Sequence, residues 1–546
     1  MIRHFNKTIP VSLIFILTLL LSLSCFARSL KTSLDKNKET RIHSLSSSGE
    51  DNHHQNIRSE DIRLSKDLKR LDTLSKELES LKSEMLEMRE NSKVWTIDYF
   101  PPEEHDRIEN ILFRYRMIRS TLWEIVSFYK DYREHFTTPE TQTKGFIIGY
   151  SAGLHLTSYT SLLVTTFIDE PAGKRKLNEA YPRSEIKAGT YDMLLSSLTS
   201  IDHMEAIKVA WVLFNNEKAD TSSVLYTIYS ADPEYQAVID RIGYLYKETD
   251  ERITFILKKK SLLLPKTANR LRHTFILKLA DNLKNKVGDN LYAIRGLLFS
   301  NVSDIKIPLT WPIKFTEEQK RELHSILRPG DIILTYTAGY MSNIFLPGSF
   351  KHGITYVGDT SARKETGLVD IPKALIAGIN VKKLEADFNT ELLESGLKAD
   401  VIEAVAEGVI FNSLDLLLDT HINRMVVLRP RLSTAEIKEA LTITFALLGA
   451  DYDFKFDFND GSYLCCTEVI YRALNSRGEY NFDLVKRMGT LTLSADDILE
   501  YYVRNEYRPF DVMVYAEKDH SADGNTASLY KGDKGLKQLK RLMNIQ

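Results

Sequence analysis

Leu71, Leu74, Leu78, Leu81, Met85 and Met88 recur at alternating spacings of three and four in LSKDLKRLDTLSKELESLKSEMLEM, with charged residues between them. This is the seam of a coiled-coil-like helix. It predicts a long amphipathic helix that either folds back on its own chain or self-associates through residues 64–88. A second helical face follows at Ile108, Ile111, Leu112, Tyr115, Ile118, Leu122, Ile125 and Tyr129, and helical text continues through 185–215, 234–264 and 266–299. The segment 146–168, FIIGYSAGLHLTSYTSLLVTTFI, has no formally charged residue and carries Gly149 and Gly153 at GxxxG spacing. Its many Ser, Thr and Tyr residues and His155 disfavour lipid, so it reads as a buried helix with close glycine packing and a core histidine. Asp202, His203 and Glu205 have the residue types of a metal or acid/base site, but one short cluster on one helix reads as a solvated face. Residues 60–315 are therefore expected to be mostly α-helical.

From about residue 320 the pattern shortens. DIILTYT (331–337), HGITYVG (352–358), VIEAV (401–405), RMVVLRP (424–430) and FDVMVYA (510–516) read as strands. Two helices between them open with capping boxes, Ser433 to Glu436 and Ser494 to Asp497. The polar and then basic stretch 517–546 reads as a flexible tail.

The chain's 546 residues include 43% hydrophobic and 27% charged positions, with a net charge of −2. That supplies ample core and no basic footprint for nucleic acid. CxxC, HExxH and P-loop patterns are lacking, so neither a metal nor a cofactor is expected. The first residues, MIRHFNKTIPVSLIFILTLLLSLSCFARS, begin basic at Arg3 and Lys7, run apolar from Pro10 to Leu23 and end in small residues. Residues 1–27 thus read as a secretory leader, too short in its apolar run for a spanning helix. Two processing outcomes compete, with an uncleaved anchor as a third: acylation of Cys25, which anchors the chain to a membrane as a lipoprotein, or cleavage after Ala27. Either places the mature chain in the periplasm or cell envelope. Residues 28–59, rich in Ser, Asn, Lys and His, read as a disordered linker.

The remaining two of three cysteines adjoin in GSYLCCTEVIYRAL, at Cys465 and Cys466, where a helix is predicted to begin. The first turn of a helix favours thiolate, because its free N–H groups and dipole stabilise negative charge. A nucleophilic thiol also needs a base, and the region holds His324, His352 and His421. His324 lies in a surface-like helix and His421 in a loop or helix end. His352 starts a strand and is followed by Gly353, which lets it lean over a cleft, and it ranks first. Tyr452, Phe454, Phe456 and Phe458 either wall an acyl-binding cleft or pack in the core.

In this order, LRPGDIILTYT, PGSFKHGITYVGD, VIEAVAEGV, VVLRPR and YLCCTEVIYRAL resemble the permuted papain-like amidases of the YiiX type. These are relatives of NlpC-type cell-wall peptidases and of lecithin:retinol acyltransferase. The resemblance covers about 320–516. It implies an α+β chain in which a permuted papain-like, NlpC-type domain (320–516) follows the mostly α-helical domain. It implies Cys466 as nucleophile, His352 as base and Glu403 as the group that orients the imidazole, with Cys465 a structural neighbour. Two departures stand out: an insertion around 360–400 separates His352 from Glu403, and Thr467 replaces the family's Ser. The implied activity is that of an exported cysteine amidohydrolase or peptidase. It would act through a thioester on an amide or acyl bond of a peptide, cell-wall or lipid-amide substrate. An acyltransferase acting on lipids and a non-catalytic envelope scaffold are the rival readings.

Overall fold

The structure, a computed structural model, describes residues 50–91, 95, 99–184, 186–199, 201–260, 278, 280, 291, 294, 312–336, 348–368, 380–459, 461, 463–519 and 525–544. The leader with Cys25, the linker up to residue 49, nearly all of 266–299 and the side chains of Asp202, His203 and Glu205 lie outside the described residues. The N-terminal region is helical: α1 (Glu50–Asn91), α2 (Pro102–Tyr129), α3 (Pro139–Phe167), α4 (Pro171–Leu177), α5 (Thr190–Leu198), α6 (Ile201–Ala219), α7 (Val224–Ala231) and α8 (Pro233–Lys259). Residues 50–59, read from sequence as linker, are the first turns of α1.

The chain forms two compact units, one of residues 1–64, 125–175 and 189–306, the other of 65–124, 176–188 and 307–546. In the first, α3 is buried from Thr141 to Phe167. A helix this polar tolerates burial because its hydroxyls bond back to carbonyls one turn earlier. Thr143 donates to Pro139 O at 2.7 Å, Thr157 to Gly153 O at 3.1 Å and Thr166 to Leu162 O at 2.8 Å. His155 does the same through Nδ1, 2.8 Å from Ser151 O, as a core histidine. Close glycine packing falls on Gly145, where a Cβ would meet the Phe136 ring at 2.9 Å, whereas nothing lies within 4 Å of such an atom at Gly153. Among the described residues no helix is long and apolar enough to cross a membrane.

The second unit joins most of α1 and α2 to the C-terminal domain, a grouping different from the single 60–315 domain expected above. The seam residues from Leu71 to Met88 are all buried. Ion pairs link Arg70 to Glu124 at 2.6 Å, Glu84 to Arg114 at 2.6 Å and Glu87 to Arg107 at 3.6 Å. Residue numbers rise on α1 as they fall on α2, so the helices run antiparallel. This hairpin reaches the C-terminal domain through Lys66 and Arg70, 3.8 and 4.0 Å from Glu407, and through Phe113, whose ring lies 5.8 Å from that of Phe456.

The C-terminal domain is built on a seven-stranded sheet ordered β11-β10-β5-β1-β2-β3-β4. The strands are β1 (Ile332–Tyr336), β2 (His352–Tyr356), β3 (Val401–Val405), β4 (Gly408–Asn412), β5 (Arg424–Pro430), β10 (Phe510–Lys518) and β11 (Ala527–Lys531), and all their pairings are antiparallel. Two short ladders flank it, β6 (Asp451–Tyr452) with β7 (Tyr463–Leu464) and β8 (Val485–Arg487) with β9 (Thr490–Thr492). Its helices are α9 (Glu317–Ile326), α10 (Thr360–Glu365), α11 (Val381–Phe388), α12 (Leu414–Thr420), α13 (Thr434–Ala446), α14 (Cys466–Leu474), α15 (Ala495–Arg504) and α16 (Gly532–Leu542). Both capping boxes form, at the starts of α13 and α15. Ile333, Ile354, Val401, Leu418, Met425, Val427 and Val514 share one core with Leu323 of α9.

Three features settle the sheet. Gly330 takes a positive φ of 95° and donates its N–H to Tyr356 O, and Asp331 then receives Arg429 through both oxygens at 2.8 and 2.7 Å. The insertion is stitched to the sheet by buried Arg363, which donates to the carbonyls of Phe388 at 3.2 Å, Thr390 at 2.6 Å and Ala399. The stretch after 516, expected to be a loose tail, instead completes the sheet as β11 and packs α16 against β10. Ala527 of β11 and Gly535 and Leu539 of α16 are buried there in spite of the polar composition.

Candidate active site

The register of the sheet brings His352, Glu403 and Asn412 together. Ile354 on β2 pairs with Glu403 on β3, and Glu403 pairs with Ile410 on β4. Because strand side chains alternate, His352, two residues before Ile354, and Asn412, two residues beyond Ile410, share the face of Glu403. His352 Nε2 lies 2.7 Å from Glu403 Oε2, and Asn412 Nδ2 donates to Glu403 Oε1 at 2.5 Å. The chain leading into His352 is held by Asp496 at the start of α15, which accepts the N–H groups of Ser349 at 2.7 Å and Phe350 at 2.9 Å.

Cys466 arrives from the other side as the first residue of α14. Its predecessor Cys465 is the N-cap in extended conformation and makes no side-chain cap bond. Gly353 explains how the helix comes so near. A Cβ there would lie 2.5 Å from Ile470 Cδ1 and 3.7 Å from Thr467 Cγ2, so the missing side chain lets α14 settle onto β2 beside His352. Cys466, His352 and Glu403 are 2, 8 and 3% exposed.

Burial alone would lower the His352 pKa, but the nearness of Cys466 and the hydrogen bond and charge of Glu403 together raise it to about 10. With Nε2 committed to Glu403, Nδ1 is the nitrogen left for the sulfur. Burial would raise the Glu403 pKa, yet the hydrogen bond and charge of His352 and the hydrogen bond from Asn412 hold it below its ordinary value. Of the three residues named from the sequence, His352 and Glu403 meet in a hydrogen bond despite the insertion, and Cys466 opens α14 near enough to act on the ring.

The surroundings of the thiols differ. Burial pushes the Cys465 thiol well above its ordinary pKa, helped by the charges of Cys466, Glu468 and Asp453; its sulfur lies 3.6 Å from Thr467 Oγ1. Burial likewise raises Asp453 to about 6 and Glu468 to about 7, the latter against the pull of Arg472, whose Nε lies 2.9 Å away. Tyr452 is pushed well above its usual range by burial and then by the charges of Cys466 and Cys465. Tyr452, Phe454, Phe456 and Phe458 are buried, and Tyr452 packs on Phe454 at 4.9 Å and on Phe456 at 6.3 Å. They serve as core around the thiols.

Of the other histidines, His324 lies 2.9 Å from Asp415. His421 is close enough to Glu403 and His352 for each to affect it, and its pKa is lowered, first by burial. Sequence reading weighed His421 and ranked it below His352, and it did not single out Asn412. The only hint of Asn412 was a polar residue ending the apolar run GVIFN. Among the described residues no group of three or more His, Cys, Asp or Glu is arranged to hold a metal ion.

Residues 326–513 match the model of a family described as permuted papain-like amidase enzyme, YaeF/YiiX, C92 family. The match covers about a third of the chain and contains all three sequence-named site residues. No curated protein and no solved structure matches the chain.

Proposed function

We propose that the chain is a cysteine amidohydrolase in which Cys466 is the nucleophile, His352 the proton shuttle and Glu403 the group that orients the imidazole. The observation that carries this reading is the His352 ring bonded through Nε2 to Glu403 at 2.7 Å, with Cys466 at the start of α14 near enough to act on it. As the sulfur closes on the substrate carbonyl, the imidazole takes its proton, so that a thiolate attacks beside an imidazolium. The thiolate attacks the substrate carbonyl carbon, and the carbonyl π electrons move to oxygen. The start of α14, with the Cys466 N–H, is where that oxyanion finds a donor. Collapse of the tetrahedral intermediate breaks the C–N bond, and imidazolium protonates the leaving amine. His352 then takes a proton from water as hydroxide adds to the thioester. A second collapse releases the carboxylic acid and returns the thiol.

The leader supports an exported enzyme in the periplasm or cell envelope, membrane-anchored if Cys25 is acylated. Peptide, cell-wall and lipid amides are the substrate classes that go with that location. The decisive experiment is alkylation of the folded full chain near neutral pH, with Cys465 and Cys466 resolved by tandem mass spectrometry. Cys466 is expected to react far faster than Cys465, and Cys466→Ala to lose all amide hydrolysis. Equal, slow labelling of the two thiols refutes the assignment. Transfer of the acyl group to an added amine or alcohol in preference to water makes the enzyme an acyltransferase.

A further inference from the structure

Glu403 has two oxygens, and the proposed mechanism uses only the one that faces His352. Asn412 Nδ2 donates to the other at 2.5 Å. The carboxamide cannot be turned round at no cost, because its Oδ1 already accepts the Ser413 N–H at 2.8 Å. That bond leaves the NH2 group facing Glu403. The β3–β4 register delivers Asn412 to this spot, since it pairs with Val401 on the face that Glu403 occupies. We propose that Asn412 is a positioning residue of this site, binding one Glu403 oxygen so that the other stays turned to His352 Nε2 and the carboxylate stays ionised. The proposal rests on the Cys466–His352–Glu403 reading above.

A buried carboxylate is stable as an anion only when donors satisfy it. Without Asn412 the Oε1 atom loses its hydrogen-bond donor and the affinity of Glu403 for a proton rises. A protonated Glu403 is no longer the acceptor that holds the Nε2 proton, so the ring loses both its fixed tautomer and its neighbouring charge. The groups facing Glu403 are His352 from β2, Asn412 from β4 and His421 beyond α12; Glu124 and Lys66 in turn act on His421. His421 acts on Glu403 through its charge only when protonated, a state that burial disfavours.

The test needs no substrate. Iodoacetamide labelling of Cys466 is followed from pH 4 to 9 in the full chain, for the parent and for Asn412→Ala, Asn412→Ser and Asn412→Asp. Asn412→Ala is expected to move the acid-side midpoint up by about one pH unit, a roughly tenfold slower labelling on that limb. Asn412→Asp, which sets a second carboxylate against Glu403, should move it further, and Asn412→Ser, which keeps a short donor, should move it less. Once a substrate is in hand, kcat falls and KM holds. Should Asn412→Ala fail to fold by circular dichroism, Asn412→Ser carries the test. A fast-labelling parent with superimposable profiles in the folded variants overturns the role of Asn412 alone. A parent whose Cys466 labels no faster than Cys465 overturns the cysteine-amidase reading, and this inference with it.

Discussion

The two flanks of the candidate site bury acids equally deeply and treat them in opposite ways. On the sheet flank, Glu403 is held below its ordinary pKa by His352 and Asn412. On the helix flank, Glu468 is raised to about 7 although Arg472 contacts it, and Asp453 nearby rises to about 6. Burial is the first cause in each case and always favours the neutral acid. What differs is the kind and sign of the neighbours: Glu403 meets a proton-binding imidazole and an amide, while Glu468 has the charge of Asp453 set against its single cation, Arg472. One flank therefore favours a charged acid and the other a neutral one, and Cys466 opens the helix on the second.

The largest test of this contrast is Cys466→Ala, for which hydrolysis should fall to background, a loss on the order of 10⁶-fold by the standard of other nucleophile deletions. An assay at high enzyme concentration checks it, and residual turnover would assign the chemistry elsewhere. Glu403→Gln comes next. It keeps shape but removes the charge and the fixed tautomer, and kcat should fall roughly 10²- to 10⁴-fold. Alkylation of Cys466 should slow with it; parent-like labelling and turnover would make Glu403 a strand residue only.

Gly353→Val tests how the flanks are brought together. Overpacking against Ile470 should cost about 1–3 kcal/mol in urea unfolding and lower kcat by lifting α14 from β2. Adding Ile470→Ala should return part of both losses; strictly additive effects would show that the two positions do not touch.

The smallest effect is on stability against pH. Glu468 has a folded pKa of about 7 against an ordinary 4.5. Its contribution is therefore full below about pH 4.5 and is lost as pH rises through 7. Glu403 runs the other way: its contribution is present above 4.5 and is lost as pH falls through its depressed value. Thermal melts of Glu468→Gln between pH 4.5 and 7.5 should show a gain over the parent of a few degrees at the upper end, in line with roughly 2–4 °C per kcal/mol. An unchanged difference between the two across that range would show that Glu468 is ionised throughout.

How much of this could be read in the sequence depended on how local each signal was. Cys466 and His352 sit in short motifs whose meaning is carried within a few residues. Glu403 was harder, because the insertion seemed to disconnect it; Arg363, gathering three carbonyls of that insertion and its flanks, keeps β3 beside β2. Asn412 matters only through the β3–β4 register, which no local pattern reveals. The seam from Leu71 to Met88 announced a helix but could not name its partner, since period alone does not say which apolar face lies opposite. The C-terminal strand and helix were missed because Lys, Gly and Asp dominate a segment whose Ala527, Gly535 and Leu539 are buried.

That last strand sets the practical limits of the folding unit. The family match stops at residue 513, midway along β10, whereas β10 runs to Lys518 and pairs with β11 from Val514↔Lys531 to Lys518↔Ala527. A fragment trimmed to the matched residues would keep Cys466, His352 and Glu403 yet end in half a strand. It would leave part of β5 as a raw edge, with apolar side chains and open backbone groups that invite pairing between molecules. It would also discard the helical hairpin that contacts the turn between β3 and β4. Such a fragment should aggregate on expression, and soluble protein should begin near residue 65 or earlier and extend past Leu542.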